Sequence, residues 1–219
     1  WTTKEERSAS AIKGFDRATH IVIPNFIYEE HMWAEVKPLV EKDVFSILYL
    51  GRLHSIKNLH LLIESVVELV DKGIKMELNI VGDGHKIYKE YLNSIIKNKY
   101  QLSRIKLHGQ ANDSKRIDFI DNNHIGVLVS ESENYGMAAA EIMSRGRAVI
   151  LSEGVALKEY VGDSNAVWMV EPDKTSIINA LEEAFHAYQD GTLINRSNEA
   201  RKIAETHFMP GSQIRLRTK

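Results

Sequence analysis

The chain has 219 residues, of which 43% are hydrophobic and 26% charged, and its formal net charge is −2. This is the composition of an ordinary globular protein, and the near balance of charge argues against a nucleic-acid-binding surface and against a generally basic membrane-binding surface. The absence of cysteine excludes disulfides, thiolate metal sites and cysteine nucleophiles. No apolar run approaches the roughly 20 residues of a membrane-spanning helix.

Short apolar runs alternate with helix-period segments along most of the chain. Consecutive apolar residues, rather than alternating ones, are typical of strands buried on both faces, as in a parallel sheet. Strand–helix alternation with short loops predicts an α/β fold, a Rossmann-like doubly wound parallel sheet of about six strands with helices on both faces. The predicted strands are 20–23, 45–50, 76–81, 105–108, 125–129, 148–151 and 167–170.

Helices are predicted where apolar residues recur at helical spacing. Thr175 is the predicted N-cap of the last of them. A glycine after a helical stretch is typical of a helix end. The predicted helical segments are 59–70, 88–96, 117–120 and 177–188, and the terminating glycines are Gly73, Gly146 and Gly191.

Three regions are expected. Residues 1–44 fit the alternation less well and are predicted to be a leading segment or linker, the end of a missing domain. Residues 45–208 are predicted to form the α/β domain, and residues 209–219 a tail that has no core pattern and is expected to be disordered. The chain begins with Trp rather than Met and lacks a signal pattern, which fits a mature processed chain as well as a piece of a longer protein.

Ligands of open α/β sheets bind beyond the carboxyl ends of the strands, at the switch point of the strand order. Four of the five loops that follow the predicted strands carry a glycine near the strand end, which lets a ligand approach the backbone. Arg52 and Lys57 lie in the first loop, before a helix that starts near Asn58. Two cations beside a helix N-terminus suit a diphosphate. An exposed, solvated loop explains the same residues equally simply.

Glu133 and Glu141 are separated by seven residues across a predicted loop and helix start, so both carboxylates are expected to face one cleft. Carboxylates accept hydrogen bonds from vicinal hydroxyls, which points to a sugar or a ribose. The free N–H groups near Gly136 and Met137 are suited to a phosphate between them. The alternative is that acidic residues merely favour a helix N-terminus.

Several chemistries are excluded by missing motifs. There is no Walker-type phosphate loop and no nucleophile elbow. The pair Gly82 and Gly84 lacks a third glycine because position 87 is Ile, so the dinucleotide fingerprint is not met. The histidines show no metal-ligand spacing, and each is most simply structural or exposed, although His54 and His85 lie in candidate loops.

Five motifs in order resemble those of retaining, nucleotide-sugar-dependent glycosyltransferases of the GT-B fold, family 4 or group 1. The resemblance runs from about residue 20 to about residue 208. The motifs are the Glu-x7-Glu signature Glu133…Glu141, the loop Gly51-Arg52…Lys57-Asn58, the turn Val81-Gly82-Asp83-Gly84, the strand end Leu107-His108-Gly109, and Pro24-Asn25 before the domain.

The resemblance implies that residues 45–208 are the nucleotide-sugar-binding lobe of a two-lobe enzyme whose N-terminal acceptor lobe is missing. It implies transfer of a sugar from a UDP- or GDP-linked donor with retention of configuration, in cell-surface polysaccharide synthesis, without a metal or other cofactor. This lobe alone is expected to be weakly active or inactive. No nucleic acid partner is expected. The implied location is cytoplasmic, and any contact with the inner face of the membrane would be made by the missing lobe.

The resemblance also assigns roles by position. Arg52 and Lys57 would neutralise charge on the leaving diphosphate, which is electrostatic catalysis. Glu133 would contact the transferred sugar and Glu141 the ribose. The other implied donor contacts are Gly51 and Gly82 in the strand-end loops, Gly136 and Met137 through backbone N–H groups, and Ala111, Asp113 and Arg116 near the base. The departures from the family pattern are Asn134 for Gly, Ala148 for Pro and Val155 for a second Gly, the last of which is expected to narrow the sugar pocket.

Other functions remain open on the sequence. One is a nucleotide-binding or protein-docking α/β domain whose charged residues are only surface charge. Another is a related two-lobe enzyme, a sugar-nucleotide epimerase or a phosphorylase. The docking alternative predicts no effect of changing Glu141, and an epimerase would release a new sugar nucleotide without an acceptor.

Overall fold

A computed structural model describes residues 25–28 and 30–210 of the chain. Six strands form one all-parallel sheet in the order β3-β2-β1-β4-β5-β6. The strands are β1 (Phe45–Leu50), β2 (Met76–Val81), β3 (Ile105–Gly109), β4 (Ile125–Leu128), β5 (Ala148–Ser152) and β6 (Val167–Val170). Six of the seven predicted strands are confirmed, with ends that agree within one residue. The seventh, 20–23, lies outside the described residues.

The helices pack on the two faces of this sheet. One layer contains the helix Leu59–Asp71 with Lys174–Gln189 against it, and the other contains Met137–Ser144 with Leu193–His207 against it. The doubly wound Rossmann-like fold predicted from the strand–helix alternation is therefore confirmed. The helices are α1 (Leu59–Asp71), α2 (Lys86–Ile95), α3 (Lys99–Arg104), α4 (Asp113–Asp121), α5 (Met137–Ser144), α6 (Lys158–Val161), α7 (Lys174–Gln189) and α8 (Leu193–His207).

The helix ends follow local side-chain chemistry. The predicted N-cap Thr175 is wrong, because α7 is capped two residues earlier by Asp173, whose carboxylate accepts from the Ser176 N–H at 3.0 Å and from its hydroxyl at 2.7 Å. The three predicted terminating glycines all have positive φ, as left-handed helix ends require. Helix α8 was not predicted, since several of its buried positions hold Ser or Ala and give only a weak apolar pattern.

The leading segment, where it is described, packs onto the domain. Ile27 and Met32 are fully buried in the same core as the sheet. Three arginines of the domain hold the segment by donating to its backbone carbonyls. Arg145 contacts the carbonyls of residues 34 and 35, Arg147 those of 37 and 38, and Arg201 those of 32 and 33. Residues 32–38 are therefore fixed by hydrogen bonds as well as by apolar packing.

His124 ties this segment to the amino end of β1. The Ser46 N–H donates to His124 Nδ1 at 2.8 Å, so Nδ1 is unprotonated and Nε2 carries the hydrogen that is donated to the Val40 carbonyl, also at 2.8 Å. The ring is fully buried between Phe45 and Tyr188. Burial lowers the pKa of His124 from its ordinary value of 6.5 to about 4, since the protonated ring loses its hydration.

Acidification is expected to destabilise the fold through His124. Between pH 6.5 and about 4 the unfolded chain binds a proton at this residue and the folded chain does not, so the free energy of unfolding falls as the pH is lowered. The shift corresponds to a loss of up to about 3 kcal/mol. Urea denaturation of the wild type and of His124→Asn at several pH values measures it. His124→Asn should have a flatter pH dependence, while the exposed-site control His85→Asn should keep that of the wild type; equal slopes for all three proteins would refute the assignment.

In the part of the chain that the structure describes, no helix combines the length and apolarity that crossing a bilayer requires.

Candidate functional site

The loops that follow β1, β2 and β3 extend the pairing of the sheet beyond its carboxyl end. The Gly51 N–H donates to the Val81 carbonyl at 3.0 Å, and the Gly82 N–H donates to the Gly109 carbonyl at 2.8 Å. A Cβ on Gly82 would lie 1.8 Å from the Gly51 carbonyl oxygen, and one on Gly84 would lie 2.1 Å from that of Leu53. Gly82 and Gly84 therefore let the neighbouring loop approach their backbone closely, and the closer approach of a ligand at these glycines stays a prediction.

A cleft of about 400 Å³ opens over these loops, at the switch point between β1 and β4. Six of the residues that the sequence assigned to donor binding or catalysis line it. They are Gly51, Arg52, Gly82, Ala111, Arg116 and Glu141. The cleft therefore lies where open α/β sheets bind ligands, and residues from three loops and two helices meet there.

Glu141 supplies the buried negative charge of the cleft. Its side chain is only 11% exposed on α5, and its carboxylate lies 3.4 Å from Arg116 Nε. Arg116 in turn lies 3.4 Å from the Asp113 carboxylate at the exposed start of α4. Asp113 is not among the residues that line the cleft. Glu141 and Arg116 together present a carboxylate acceptor beside a guanidinium donor inside the cleft.

Lys57 and Glu133 form an ion pair next to the cleft. Glu133 is not among the residues that line the cleft, so of the two spaced glutamates only Glu141 faces into it. The loops that carry the pair are joined by a hydrogen bond of 2.8 Å from the Glu131 N–H to the Ile56 carbonyl. Burial lowers the pKa of Lys57, and the positive charge of Arg52 lowers it further, while contact with the Glu133 carboxylate acts in the opposite direction.

The start of α5 lies behind this ion pair. Gly136 is the N-cap with φ of 100°, and no side chain caps the helix, so the first N–H groups after it, beginning at Met137, lack that partner. A Cβ on Gly136 would lie 2.7 Å from a methyl of Val155, which is fully buried. Val155 is paired with Glu133 in a short parallel bridge. The valine that departs from the family pattern thus lies directly against Glu133 and Gly136, two of the predicted donor contacts.

Arg52 is exposed between the cleft and a second groove of about 590 Å³. His54 and His85, held as candidates on the sequence, line this second groove and not the cleft. His54 Nδ1 accepts from the Ile56 N–H at 3.3 Å and so caps the short turn Ser55–Lys57. The structure therefore gives His54 a structural role in shaping the loop that carries Lys57.

Asp83, Gln110 and Ala138 also line the cleft, although none was in the predicted set. Each follows a strand or lies between predicted site residues, which is the signal that could have found them. The carboxylate of Asp83 accepts from Lys89 at 2.7 Å and from the Gly84 N–H at 2.8 Å, and these contacts lower its pKa. Asp83 is therefore an ionised group at the edge of the cleft.

The positively and negatively charged side chains lie in different parts of the site. Arg52 and Lys57 lie on one side and can neutralise an anion such as a diphosphate. The carboxylate of Glu141 lies inside the cleft and can accept hydrogen bonds from hydroxyl groups. No cluster of three His, Asp or Glu side chains suited to a metal ion occurs within residues 25–28 and 30–210.

Comparison with known proteins identifies relatives of this chain. The family model of glycosyl transferases group 1 matches residues 33–205. An uncharacterized glycosyltransferase of Methanocaldococcus jannaschii is 32% identical over 116 residues, which are 53% of this chain and 31% of that protein.

Solved structures share the fold. A glycosyltransferase from Rickettsia africae superposes with a TM-score of 0.77 at 19% identity, covering 90% of this chain and 55% of that one. The Anabaena protein HepE, in a complex with UDP, superposes with a TM-score of 0.69 at 19% identity, covering 80% of this chain and 48% of that one. The chain thus spans about a third of the length of its curated relative and about half the length of these two structures.

Proposed function

The chain belongs to the group 1 glycosyl transferases, and from this premise we propose that it is the lobe that binds the nucleotide-diphosphate sugar donor of such an enzyme. The observation that carries the proposal is the cleft at the switch point, where the carboxylate of Glu141 lies inside and the cation Arg52 lies at the mouth. A nucleoside diphosphate has both complementary parts, a ribose diol and an anionic diphosphate.

The proposed orientation follows from these charges. The ribose hydroxyls donate to Glu141, and Ala111 and Arg116 lie nearest the base. The diphosphate lies toward Arg52 and Lys57, with the N–H groups at the start of α5 behind it. The sugar then lies at Glu133 and Val155, which are bridged to each other. In this orientation the diphosphate competes with Glu133 for the Lys57 ammonium.

The proposed reaction is transfer of the sugar with retention of configuration. The bond between the anomeric carbon and the diphosphate oxygen breaks, the acceptor hydroxyl oxygen forms the new bond on the same face, and the hydroxyl proton passes to the departing diphosphate. Arg52 and Lys57 stabilise the negative charge that develops on the leaving diphosphate, and this electrostatic term requires no metal. Glu133, released from Lys57, lies beside the reacting carbon. Lys57 and Glu133 are the residues on which the chemistry depends in this proposal.

UDP is the first nucleotide to test, because it is bound in the similar HepE structure. A ligand at 100 times its dissociation constant adds about 2.7 kcal/mol to the free energy of unfolding. For a domain of this size the melting temperature is expected to rise by roughly 5 to 10 °C. The comparison with GDP and ADP shows which base the cleft accepts.

Glu141→Gln is expected to weaken binding of that nucleotide roughly 10- to 100-fold. The amide keeps the shape of the side chain but loses the charge that strengthens a hydrogen bond to a hydroxyl. Titration calorimetry measures the loss, and the melting temperature without nucleotide shows whether the variant is folded. The matched control Glu183→Gln changes an exposed glutamate of α7 that does not line the cleft, so its affinity should equal that of the wild type.

Two results would contradict the donor-lobe proposal. If millimolar UDP, GDP and ADP all leave the melting temperature unchanged, the cleft of this chain is not a nucleotide site. If Glu141→Gln binds as tightly as Glu183→Gln, the ribose contact is assigned to the wrong residue.

A further inference from the structure

A basic and apolar surface lies at the amino end of β3, whereas the cleft lies beyond the carboxyl end of that strand. The surface is formed by residues 97–104, which we call the basic segment. It joins the end of α2 to β3 and contains α3. Its charged residues are Lys97, Lys99 and Arg104, and it contains no acidic residue. Its outward apolar side chains are Tyr100 and Leu102, which are 47% and 53% exposed. Cations and large apolar groups thus share one exposed stretch of eight residues.

This concentration is unusual within the molecule. Seven large apolar side chains are markedly exposed in the part of the chain that the structure describes, and four of them lie on α2 and α3. These four are Ile87, Tyr91, Tyr100 and Leu102. Residues 86–106 contain six Lys or Arg residues and one Glu, a net charge of +5, whereas the whole chain carries −2. Residues 86–106 are therefore strongly basic, although the positive and negative charges of the whole chain nearly balance.

The cations of the basic segment are available to a partner. Lys86, Lys89 and Lys106 are paired with acidic side chains. Among residues 25–28 and 30–210, by contrast, no carboxylate pairs with Lys97 or Lys99. Arg104 stacks over the ring of Tyr100 at 5.4 Å and also has no ion pair in that part of the chain. In the described part of the chain, no carboxylate therefore neutralises these three charges.

The segment is held rigidly by one buried side chain. Gln101 is 3% exposed, and its amide nitrogen donates to both carboxylate oxygens of Asp71 at the end of α1, at 3.0 and 2.9 Å. Its side-chain oxygen accepts from the Lys97 N–H at 2.8 Å, and Asn98 caps α3 by accepting from the Gln101 N–H at 2.9 Å. With Gln101 turned inward, Tyr100 and Leu102 on either side of it are presented to solvent in a preformed arrangement.

We propose that the basic segment binds the anionic surface of a lipid bilayer. Unpaired Lys and Arg side chains are attracted to anionic headgroups, and exposed aromatic and aliphatic side chains enter the boundary between headgroups and acyl chains. An acidic soluble partner would form ion pairs with the cations, but its charged surface would give Tyr100 and Leu102 no apolar environment. The sequence analysis assigned any membrane contact to the missing lobe. This proposal differs, because the basic segment belongs to the lobe described here. The proposal does not depend on the proposed donor site.

Sedimentation with phosphatidylcholine vesicles, with and without phosphatidylglycerol, tests the proposal on the 219-residue chain. Binding is expected only to the anionic vesicles and should weaken as salt is raised, because surface charges are screened. The triple variant Lys97→Gln, Lys99→Gln, Arg104→Gln should reduce the partition coefficient roughly 100-fold, from about fivefold per cation. The double variant Tyr100→Ser, Leu102→Ser should also reduce it, and both variants should keep the wild-type melting temperature within a few degrees.

The matched control is the triple variant Lys158→Gln, Lys174→Gln, Lys202→Gln, which makes the same change in net charge at half-buried and exposed lysines elsewhere. It should bind the vesicles nearly as well as the wild type. Equal losses in the two triple variants would show that net charge, and not this surface, is responsible. Absence of wild-type binding to anionic vesicles at low salt would also overturn the proposal. If the double variant binds like the wild type and heparin competes fully, the segment recognises soluble polyanions instead of a membrane.

Discussion

Replacing Arg147 with methionine is expected to lower the free energy of unfolding by about 3 to 5 kcal/mol. Arg147 is 1% exposed, and its guanidinium donates to six backbone carbonyls, at distances of 3.0 to 3.2 Å. Two of these belong to the leading segment, at residues 37 and 38, and the others lie in the turns around Asp121 and Arg145. Methionine has a similar length but no donor, so several buried carbonyls lose a partner at once.

Urea denaturation of Arg147→Met against Arg196→Met measures this effect. Arg196 stacks over Trp168 at 4.1 Å and donates a single hydrogen bond to the Asn165 carbonyl, so its replacement should cost only about 1 kcal/mol. Arg147→Lys should resemble Arg147→Met, because the single ammonium group of lysine cannot donate to all the carbonyls that the planar guanidinium reaches. Equal costs at positions 147 and 196 would show that the leading segment is not held by these hydrogen bonds.

Replacing Gly82 with alanine is expected to destabilise the domain by about 3 kcal/mol or more. Two effects add. The φ of 149° is a conformation that side chains rarely adopt, and the new methyl group would lie 1.8 Å from the Gly51 carbonyl oxygen. That oxygen belongs to backbone and cannot rotate away, so the loops after β1 and β2 must separate. Because both loops line the cleft, nucleotide affinity should fall together with stability.

Gly109→Ala is the matched control at the neighbouring strand end. Gly109 also has a positive φ, of 73°, but a Cβ there would meet nothing within 4 Å. Only the conformational cost of about 1 kcal/mol remains. The melting temperatures and nucleotide affinities of the two variants show whether position 82 must be glycine because of the neighbouring loop or because of the ligand. A Gly82→Ala protein with wild-type stability but no nucleotide binding would show that the glycine serves the ligand, as the sequence suggested, and not the neighbouring loop.

The Lys57–Glu133 contact bears on how the predicted site residues work together. The sequence placed a cation and a carboxylate in separate loops and assigned them separately, to diphosphate and to sugar. In the structure they neutralise one another beside the cleft. In the proposed donor orientation, a diphosphate at Lys57 would compete with Glu133 for the same ammonium group. This coupling between the two residues depends on tertiary geometry and is not contained in the spacing of the motifs.

Elements with strong local patterns were predictable. The strands of the sheet are runs of consecutive apolar residues, and α1 has apolar residues at regular helical spacing. Both kinds of element can therefore be predicted from residues that are close together in the chain. Helix α8 was missed because it buries Ser197, Ala200 and Ala204, small residues whose apolar signal is weak. The cap of α7 was misplaced because Asp173 and Thr175 are both good N-cap residues, and the choice depends on where the first helical turn begins; here the Asp173 carboxylate accepts from the Ser176 N–H.

The sequence alone determined the fold class, the loops that carry the candidate site and the family motifs, since each depends on residues close together in the chain. Only the tertiary structure decided which of those residues meet. Arg116 and Glu141 are 25 positions apart, and Lys57 and Glu133 are 76 apart. The carbonyls of residues 32–38 are held by arginines more than 100 positions away. Such pairings depend on how the helices and loops pack around the sheet, because a side chain's partner is set by distance in space and not by distance along the chain.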